Sequence, residues 1–461
     1  MDITENSCVL DLDQEWLASL RKKVGGAALR KHRRGSPPTI FRAPASMRQA
    51  DPDAYSPHVV SLGPYHRNSP ALKPMDGLKL RYLQKVLLRN PKAPLEAYVR
   101  LIQELEPAAR ASYSEDIDMD SHSFVEMLLL DGCFVVELLL MQLDGRKHEY
   151  EQHEDGESEE DPILTTTWTM PLIESDMLML ENQIPFSVLR HVYDLATGSD
   201  ECCYSIVQLA QAFFNDYLPT DRLVVPSEDF LFPKYFHLLH FFHSCIMPGR
   251  AEQCYKPLIY QKMSRRATHG RPPPAPGSIP SATRLKEAGV AFETNAEADS
   301  FLDVGFRGSV MAIPTLRIYD HTDSLFRNLI AFEQCLPRVG TRFATYATMM
   351  DCLVGGAEDV ALLHRCGCIV SGLGSDDVVA RLFSGLRRDA TVDWRSCYLA
   401  GLFEDVRAHC DSRWNKWRAK LMHDYFSNPW SVVSLIAALV LIFLTVVQAW
   451  FALLSYVFPP R

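Results

Sequence analysis

Positive charge is in short supply in this chain: 47 Lys and Arg stand against 57 Asp and Glu over 461 residues, a formal net charge of −10. A phosphate backbone has to be met by a basic footprint, so this balance argues against a nucleic-acid partner. A secretory leader is missing as well. MDITENSCVLDLDQEWLASL is acidic and amphipathic, where such a signal needs a basic segment followed by an apolar run. None of the nine asparagines opens an Asn-x-Ser/Thr sequon, which favours a chain that does not meet the glycosylation machinery. Catalytic signatures are absent too. There is no Walker phosphate loop and no Gly-x-Ser-x-Gly elbow, and Gly372-Leu373-Gly374-Ser375 lacks the third glycine and preceding strand of a dinucleotide fingerprint. No cofactor, metal or catalytic residue is therefore assigned.

What is present is a globular composition, 47% hydrophobic and 23% charged, long enough for one large or two medium domains. The averages conceal one apolar outlier. Residues 430–458, WSVVSLIAALVLIFLTVVQAWFALLSYVF, carry no charge. As a helix they would extend roughly 43 Å against a hydrocarbon core of about 30 Å. Trp430 and Trp450 would then lie about 30 Å apart, as anchors at the two interfaces. Arg413, Lys416, Arg418 and Lys420 crowd the N-terminal flank, whereas only Arg461 lies beyond in the tail 459–461. By the positive-inside rule the expectation is a single-pass membrane protein with a C-terminal anchor and a cytosolic body, on the plasma membrane or an endomembrane. The twelve cysteines fit a reducing compartment, being scattered mostly within apolar patterns.

Ahead of this anchor, residues 1–36 read as an amphipathic helix followed by a basic arm, closed by Ser36-Pro37-Pro38. Residues 37–429 read as one helical body. Its strongest element is SFVEMLLLDGCFVVELLLMQL (123–143), apolar on nearly all sides and so a central core helix, with Glu126, Asp131 and Glu137 interrupting it too often for a membrane span. The second outlier is acidic. Residues 149–161 hold eight carboxylates and no basic residue, which predicts an exposed, disordered loop. Ser158, directly before Glu159-Glu160-Asp161, is a candidate phosphorylation site; phosphosite mapping that finds it unmodified under all conditions would refute this. A proline-rich loop is expected at 264–283. Near 290–319 the period changes to that of strands, with Arg307-Gly308 as the turn of a small antiparallel element. Helices are expected at 171–181, 185–195, 203–217, 233–246, 341–354, 376–387 and 393–425. In the last of these Trp414, Trp417, Leu421 and Tyr425 share one side, as at a membrane surface. The fold class is thus mainly α, with a small β element and one C-terminal transmembrane helix.

Polar residues that could carry chemistry have ordinary readings beside them. His237, His240 and His243 recur every three residues, yet no third or fourth ligand at metal spacing accompanies them, so core or rim histidines are expected. His364-Arg365-Cys366-Gly367-Cys368 has no second cluster for zinc. Cys133 sits in the all-apolar helix and should be buried and unreactive. Glu181-Asn182-Gln183 forms a polar junction of the kind that caps helices and satisfies a turn.

Nine segments taken together resemble the plant domain-of-unknown-function family numbered 247: IFRAPASMR (40–48), VVSLGPYHR (59–67), LKLRYLQKVLLR (78–89), LDGCFVVELL (130–139), DMLMLENQIPFSVL (176–189), IPSATRLKEAGVAF (279–292), IPTLRIYDHTDSLFRNLIAFEQC (313–335), DCLVGGAEDVALLHRCG (351–367) and DYFSNPWSVVSLIAALV (424–440). The resemblance implies a plant protein with a helical body and a C-terminal membrane helix, and it carries no established activity or catalytic residues. Some grass members of that family are implicated in pollen-side self-incompatibility recognition, and no residue here assigns the chain to that subset. The leading expectation is a non-enzymatic, membrane-anchored interaction protein that touches lipid through its helix and a protein partner through its loops. The alternatives are an enzyme with a site assembled from His66, Glu181 and His364, or a receptor for a small ligand.

Overall fold

A computed structural model describes residues 15–21, 37–150, 163, 168–198, 204–215, 217, 235–247, 278–298, 300–394, 397–418 and 429–457. They fall into two compact units: Met1–Arg42 with Ser56–Ala210 and Lys234–Leu238, and Ala43–Tyr55 with Gln211–Pro233 and Leu239–Arg461.

The first unit is a helical assembly around one long helix. Its helices are Pro74–Arg89 (α1), Leu95–Ala111 (α2), Ser121–Tyr150 (α3), Thr169–Met177 (α4) and Phe186–Thr197 (α5). The apolar pattern of α3 has its expected result: between Phe124 and Leu140 every residue except Glu126 is buried. Helices α1, α2 and α5 all pack on α3. Tyr82 of α1 stacks on Phe134 with ring centroids 5.2 Å apart. Gly132 lets α5 approach, since a Cβ there would stand 3.4 Å from methyl carbons of both Val188 and Val192. The two buried charges inside α3 have partners: the Glu137 carboxylate takes two bonds from Arg89, at 2.6 and 2.9 Å, and Asp131 faces Lys79. Helix α4 stops at Met177, short of the expected 181, and the chain crosses to α5 as turn and loop. Helix α5 opens directly after Pro185 and closes on Gly198 in the left-handed conformation at φ 65°.

The second unit mixes helices with two small sheets. Leu238–Ile246 (α6) starts at its boundary, and Ala282–Glu287 (α7), Thr322–Cys335 (α8), Arg342–Leu353 (α9), Ala357–Arg365 (α10), Asp376–Asp389 (α11) and Ala400–Asp411 (α12) follow. The strands are Ala291–Thr294 (β1), Gly305–Arg307 (β2), Val310–Ile313 (β3), Leu316–Ile318 (β4) and Ile369–Ser371 (β5). The β element expected near 290–319 is present. Strands β2 and β3 form the antiparallel hairpin, turning at Gly308 with φ 66°. Strand β1 adds to the other edge of β3 in parallel, because the ten residues between β1 and β2 carry the chain back. A second parallel pair, β4 with β5, was not visible in the local pattern, its partners lying about fifty residues apart. Phe301, Phe326, Phe343 and Tyr346 meet edge-on and stacked at 4.8 to 6.3 Å.

Helix Pro429–Val457 (α13) contains Ile436–Leu453, a stretch long and apolar enough to cross a membrane. No side chain in that stretch is buried by the rest of the chain. Of the expected loops, the acidic one lies outside the described residues beyond its first two positions, which end α3, and Ser158 lies outside them with it. The proline-rich stretch is described only from 278 onward, where it leads into α7.

One buried carboxylate ties this second unit together. Glu333, in the last turn of α8, accepts the backbone N–H groups of Phe343 and Ala344 at 2.8 and 2.9 Å, and His243 Nε2 lies 3.1 Å from it. Those two N–H groups belong to the first turn of α9, where a helix has no acceptors of its own. Glu333→Ala is expected to lower stability by about 3 kcal/mol, since two buried donors lose their partner. A urea midpoint unchanged from the parent chain would contradict this.

Candidate functional site

The densest polar cluster among the described residues surrounds an extended segment of the first unit. Residues 58–63 have no strand partner, yet Val60, Ser61, Leu62 and Gly63 are buried, so their amides need acceptors from side chains. Asp176, fully buried in α4, supplies three: its carboxylate accepts from the N–H of His58 at 2.8 Å, Val59 at 2.7 Å and Val60 at 2.9 Å. Asn182 Oδ1 accepts from Leu62 N–H at 2.6 Å while its amide donates to the carbonyls of Val60 and Asp176, both at 2.9 Å. Asp131 of α3 accepts from Gly63 N–H at 2.8 Å and from the Lys79 ammonium, which also donates to the Ser61 carbonyl. Gln183 donates to the carbonyls of Met177 and Met179, closing the turn after α4. This polar junction was expected to satisfy a turn. Its long reach to residues 60–62 was not.

Beyond Gly63 the segment emerges at a charged edge. Thr39 and Ile40 bond to the Ser112 carbonyl at the end of α2, and this brings Arg42 beside Glu115. Arg42 Nε donates to Glu115 at 2.9 Å, Nη1 lies 3.3 Å from Glu181 Oε2, and the guanidinium covers the Tyr65 ring at 4.4 Å. His66 Nε2 lies 3.5 Å from the same Glu181 oxygen. The Glu181 side chain is fully enclosed, while Arg42 remains 37% exposed. Burial raises the Tyr65 hydroxyl above its ordinary pKa, with the Glu115 charge adding to it, against the Ser114 hydrogen bond and Arg42. Burial holds Tyr113 well above its ordinary value, helped by the charge of Asp131. Both phenols are therefore neutral, and Tyr113 donates to the Gln183 carbonyl at 3.1 Å. The arrangement joins a buried carboxylate to a cation and an imidazole at the surface, a set able to fix a chain segment or to hold a proton.

The residues singled out from sequence are distributed as follows. His66 and Glu181 come together, whereas His364 belongs to α10 of the other unit. The three histidines every third residue serve separate partners: His237 Nε2 lies 3.0 Å from the Thr39 carbonyl, His243 faces Glu333, and His240 packs on Phe332. Among the described residues no three His, Cys, Asp or Glu side chains converge on a metal-sized site. Cys133 is fully buried, and burial, with the Glu137 charge adding to it, raises its thiol far above the ordinary range. Burial likewise pushes Cys245 and Cys368 up to about 12 and Cys335 and Cys397 up to about 11, so these thiols stay protonated at neutral pH. A shallow groove of 380 Å³ lies between α2 and α5, lined by Ala97, Arg100, Leu101, Glu104, His191, Asp194 and Leu195. Trp450 is exposed on α13, and Trp430 is in the first turn of the same helix. Arg413, Lys416 and Arg418 occupy a helical turn at 413–418, and Lys420 lies outside the described residues. Sequence reasoning passed over Asp176 and Lys79, and met Asp131 only as an interruption of an apolar pattern.

A profile of a plant family of unknown function, DUF247, matches residues 40–444. The chain is 31% identical to the Arabidopsis thaliana UPF0481 protein At3g47200 over 429 residues, covering 90% of this chain and 86% of that protein. It is 23% identical to the putative UPF0481 protein At3g02645 of the same plant, covering 89% of each. No solved structure matches it.

The clamp on residues 58–63 makes a direct expectation. Asp176→Ala should destabilise the protein by about 3 kcal/mol, because three amides, that of Val60 buried, lose one shared acceptor. Gly63→Ala should be comparably harmful, since Gly63 sits at φ 74° and a Cβ would stand 2.5 Å from the Gln183 carbonyl oxygen. Denaturant midpoints check both, and a variant as stable as the parent would remove the clamp from its supporting role.

Proposed function

The chain belongs to the plant protein family of unknown function whose profile it matches, and on that premise we propose that it is a membrane-anchored, non-enzymatic interaction protein with its body on the cytosolic side. The observation that carries the reading is α13: eighteen consecutive residues, Ile436–Leu453, apolar enough to span a bilayer and left uncovered by the rest of the chain. A soluble fold would bury such a stretch, because apolar surface left in water costs about 25 cal/mol per Å². Lipid would cover it and satisfy its backbone at once, since a helix makes its own hydrogen bonds. The cations Arg413, Lys416 and Arg418 on the N-terminal flank favour a cytosolic body. The interaction role is favoured by how these polar side chains are employed: Asp131, Asp176, Asn182 and Gln183 are engaged in hydrogen bonds with backbone groups.

Membrane fractionation tests this. The full chain, expressed in plant cells, is expected to remain in the membrane pellet through salt and alkaline carbonate and to leave it with detergent. Removal of residues 430–458 is expected to move the chain to the soluble fraction. Protease added to sealed microsomes should digest a tag placed before residue 1. Release by salt alone, or a tag protected inside the vesicle, would overturn the anchor or its orientation respectively.

A further inference from the structure

Helix α12 ends at Asp411, and the chain breaks at Ser412 with extended angles of φ −56° and ψ 135° before turning helical again over 413–418. The three-residue spacing places Trp414 and Trp417 on one side of that turn. Their rings lie 5.4 Å apart, and they are 69% and 56% exposed. Two adjacent indoles left in water are unfavourable, each presenting a large apolar body with one polar N–H. The turn is not a loose tether. Arg418 lies over Gly289, its Nη1 2.6 Å from where a Cβ would stand, so any side chain at 289 would displace it. Asn415 donates to the His409 carbonyl at 2.8 Å, and His409 Nε2 lies 3.3 Å from the Ala288 carbonyl oxygen. These contacts join the turn that carries the tryptophan pair to the second unit.

Charge identifies what would cover the pair. Arg413, Lys416 and Arg418 provide three cations within six residues, and the nearest acid, Asp411, answers Lys416 alone at 2.8 Å. A surface that takes indoles at an apolar boundary and offers negative charge beside them is the headgroup region of an anionic bilayer. The apolar helix α13 begins eleven residues after Arg418. We propose that Trp414 and Trp417, flanked by Arg413 and Lys416, form an interfacial contact with anionic lipid headgroups that fixes the second unit against the membrane surface. The proposal rests on the anchoring reading above and adds a second attachment to it.

The test uses the full chain reconstituted into phosphatidylcholine vesicles with or without phosphatidylserine, the acyl chains being brominated near the headgroup. Subtracting the emission of a Trp414→Phe/Trp417→Phe variant isolates the pair. The pair is expected to be quenched by brominated lipid about twofold or more strongly when phosphatidylserine is present, each cation near an anionic leaflet contributing on the order of a fivefold preference. Arg413→Gln/Lys416→Gln, which leaves both indoles and the Arg418 packing in place, should abolish that difference. A chain that floats with the vesicles while its pair escapes quenching overturns the lipid contact and leaves the anchor standing. Shielding of the pair from aqueous acrylamide as well would assign its cover to protein, such as a second copy, and would also overturn the proposal. A chain that fails to float overturns the anchor and the contact together.

Discussion

A fully buried carboxylate accepting consecutive backbone amides is the interaction on which the first unit depends. Asp176 receives the N–H groups of residues 58, 59 and 60 because this segment is extended, has no strand beside it and lies mostly inside the protein. A carboxylate suits this task, offering two acceptor oxygens and no donor. The dependence runs both ways. The segment satisfies the charge as the charge satisfies the segment, and either group left alone in the interior would carry a penalty of several kcal/mol. Asp131 repeats the logic one turn of chain further on, with Lys79 as counter-ion, so α1, α3 and α4 are all tied to the same stretch.

The second unit applies the same device to helix starts. Glu333 in α8 reaches the first turn of α9, and Asp359 in α10 accepts from Thr283 at 2.7 Å in the first turn of α7 and from Gly355 at 3.0 Å. Each acid is the N-cap of a helix it does not belong to, and each also benefits from the positive end of that helix dipole. The ordinary local cap is seen at Ser375, whose hydroxyl accepts from Asp377 at 3.2 Å. A local cap ends one helix. A remote cap also fixes the direction of the next, which matters in a fold whose sheets have only two and three strands.

That difference explains what could be read from the chain and what could not. Local signals were legible: the all-round apolar α3, the Pro185 start of α5, the turn at Gly308, the apolar run of α13. Each is decided by neighbours within a few residues. Asp131 was legible only as an interruption of an apolar pattern, because its partners Lys79 and Gly63 lie 52 and 68 positions away. The helix expected over 393–425 begins only at Ala400 and is divided at Ser412, where no proline or glycine announces the break, and 419–425 lie outside the described residues. For the candidate site the sequence put His66 and Glu181 in one hypothesis and added His364, which belongs to the other unit, since spacing alone holds no information about which distant residues meet.

The geometry at Glu181 also constrains any chemistry assigned to it. Arg42 Nη1 and His66 Nε2 both face Oε2, at 3.3 and 3.5 Å, so a proton passed between His66 and Glu181 must compete with a guanidinium for the same oxygen. Arg42 does not leave easily, being held in turn by Glu115 and by the Tyr65 ring. A guanidinium held beside this oxygen suits an acceptor that fixes a chain segment. Asp131, Asp176, Asn182 and Gln183 of the first unit hold irregular backbone in place. In the second unit the Ile436–Leu453 stretch of α13 and the paired indoles at 414 and 417 are exposed apolar surface, which contact with other molecules would cover.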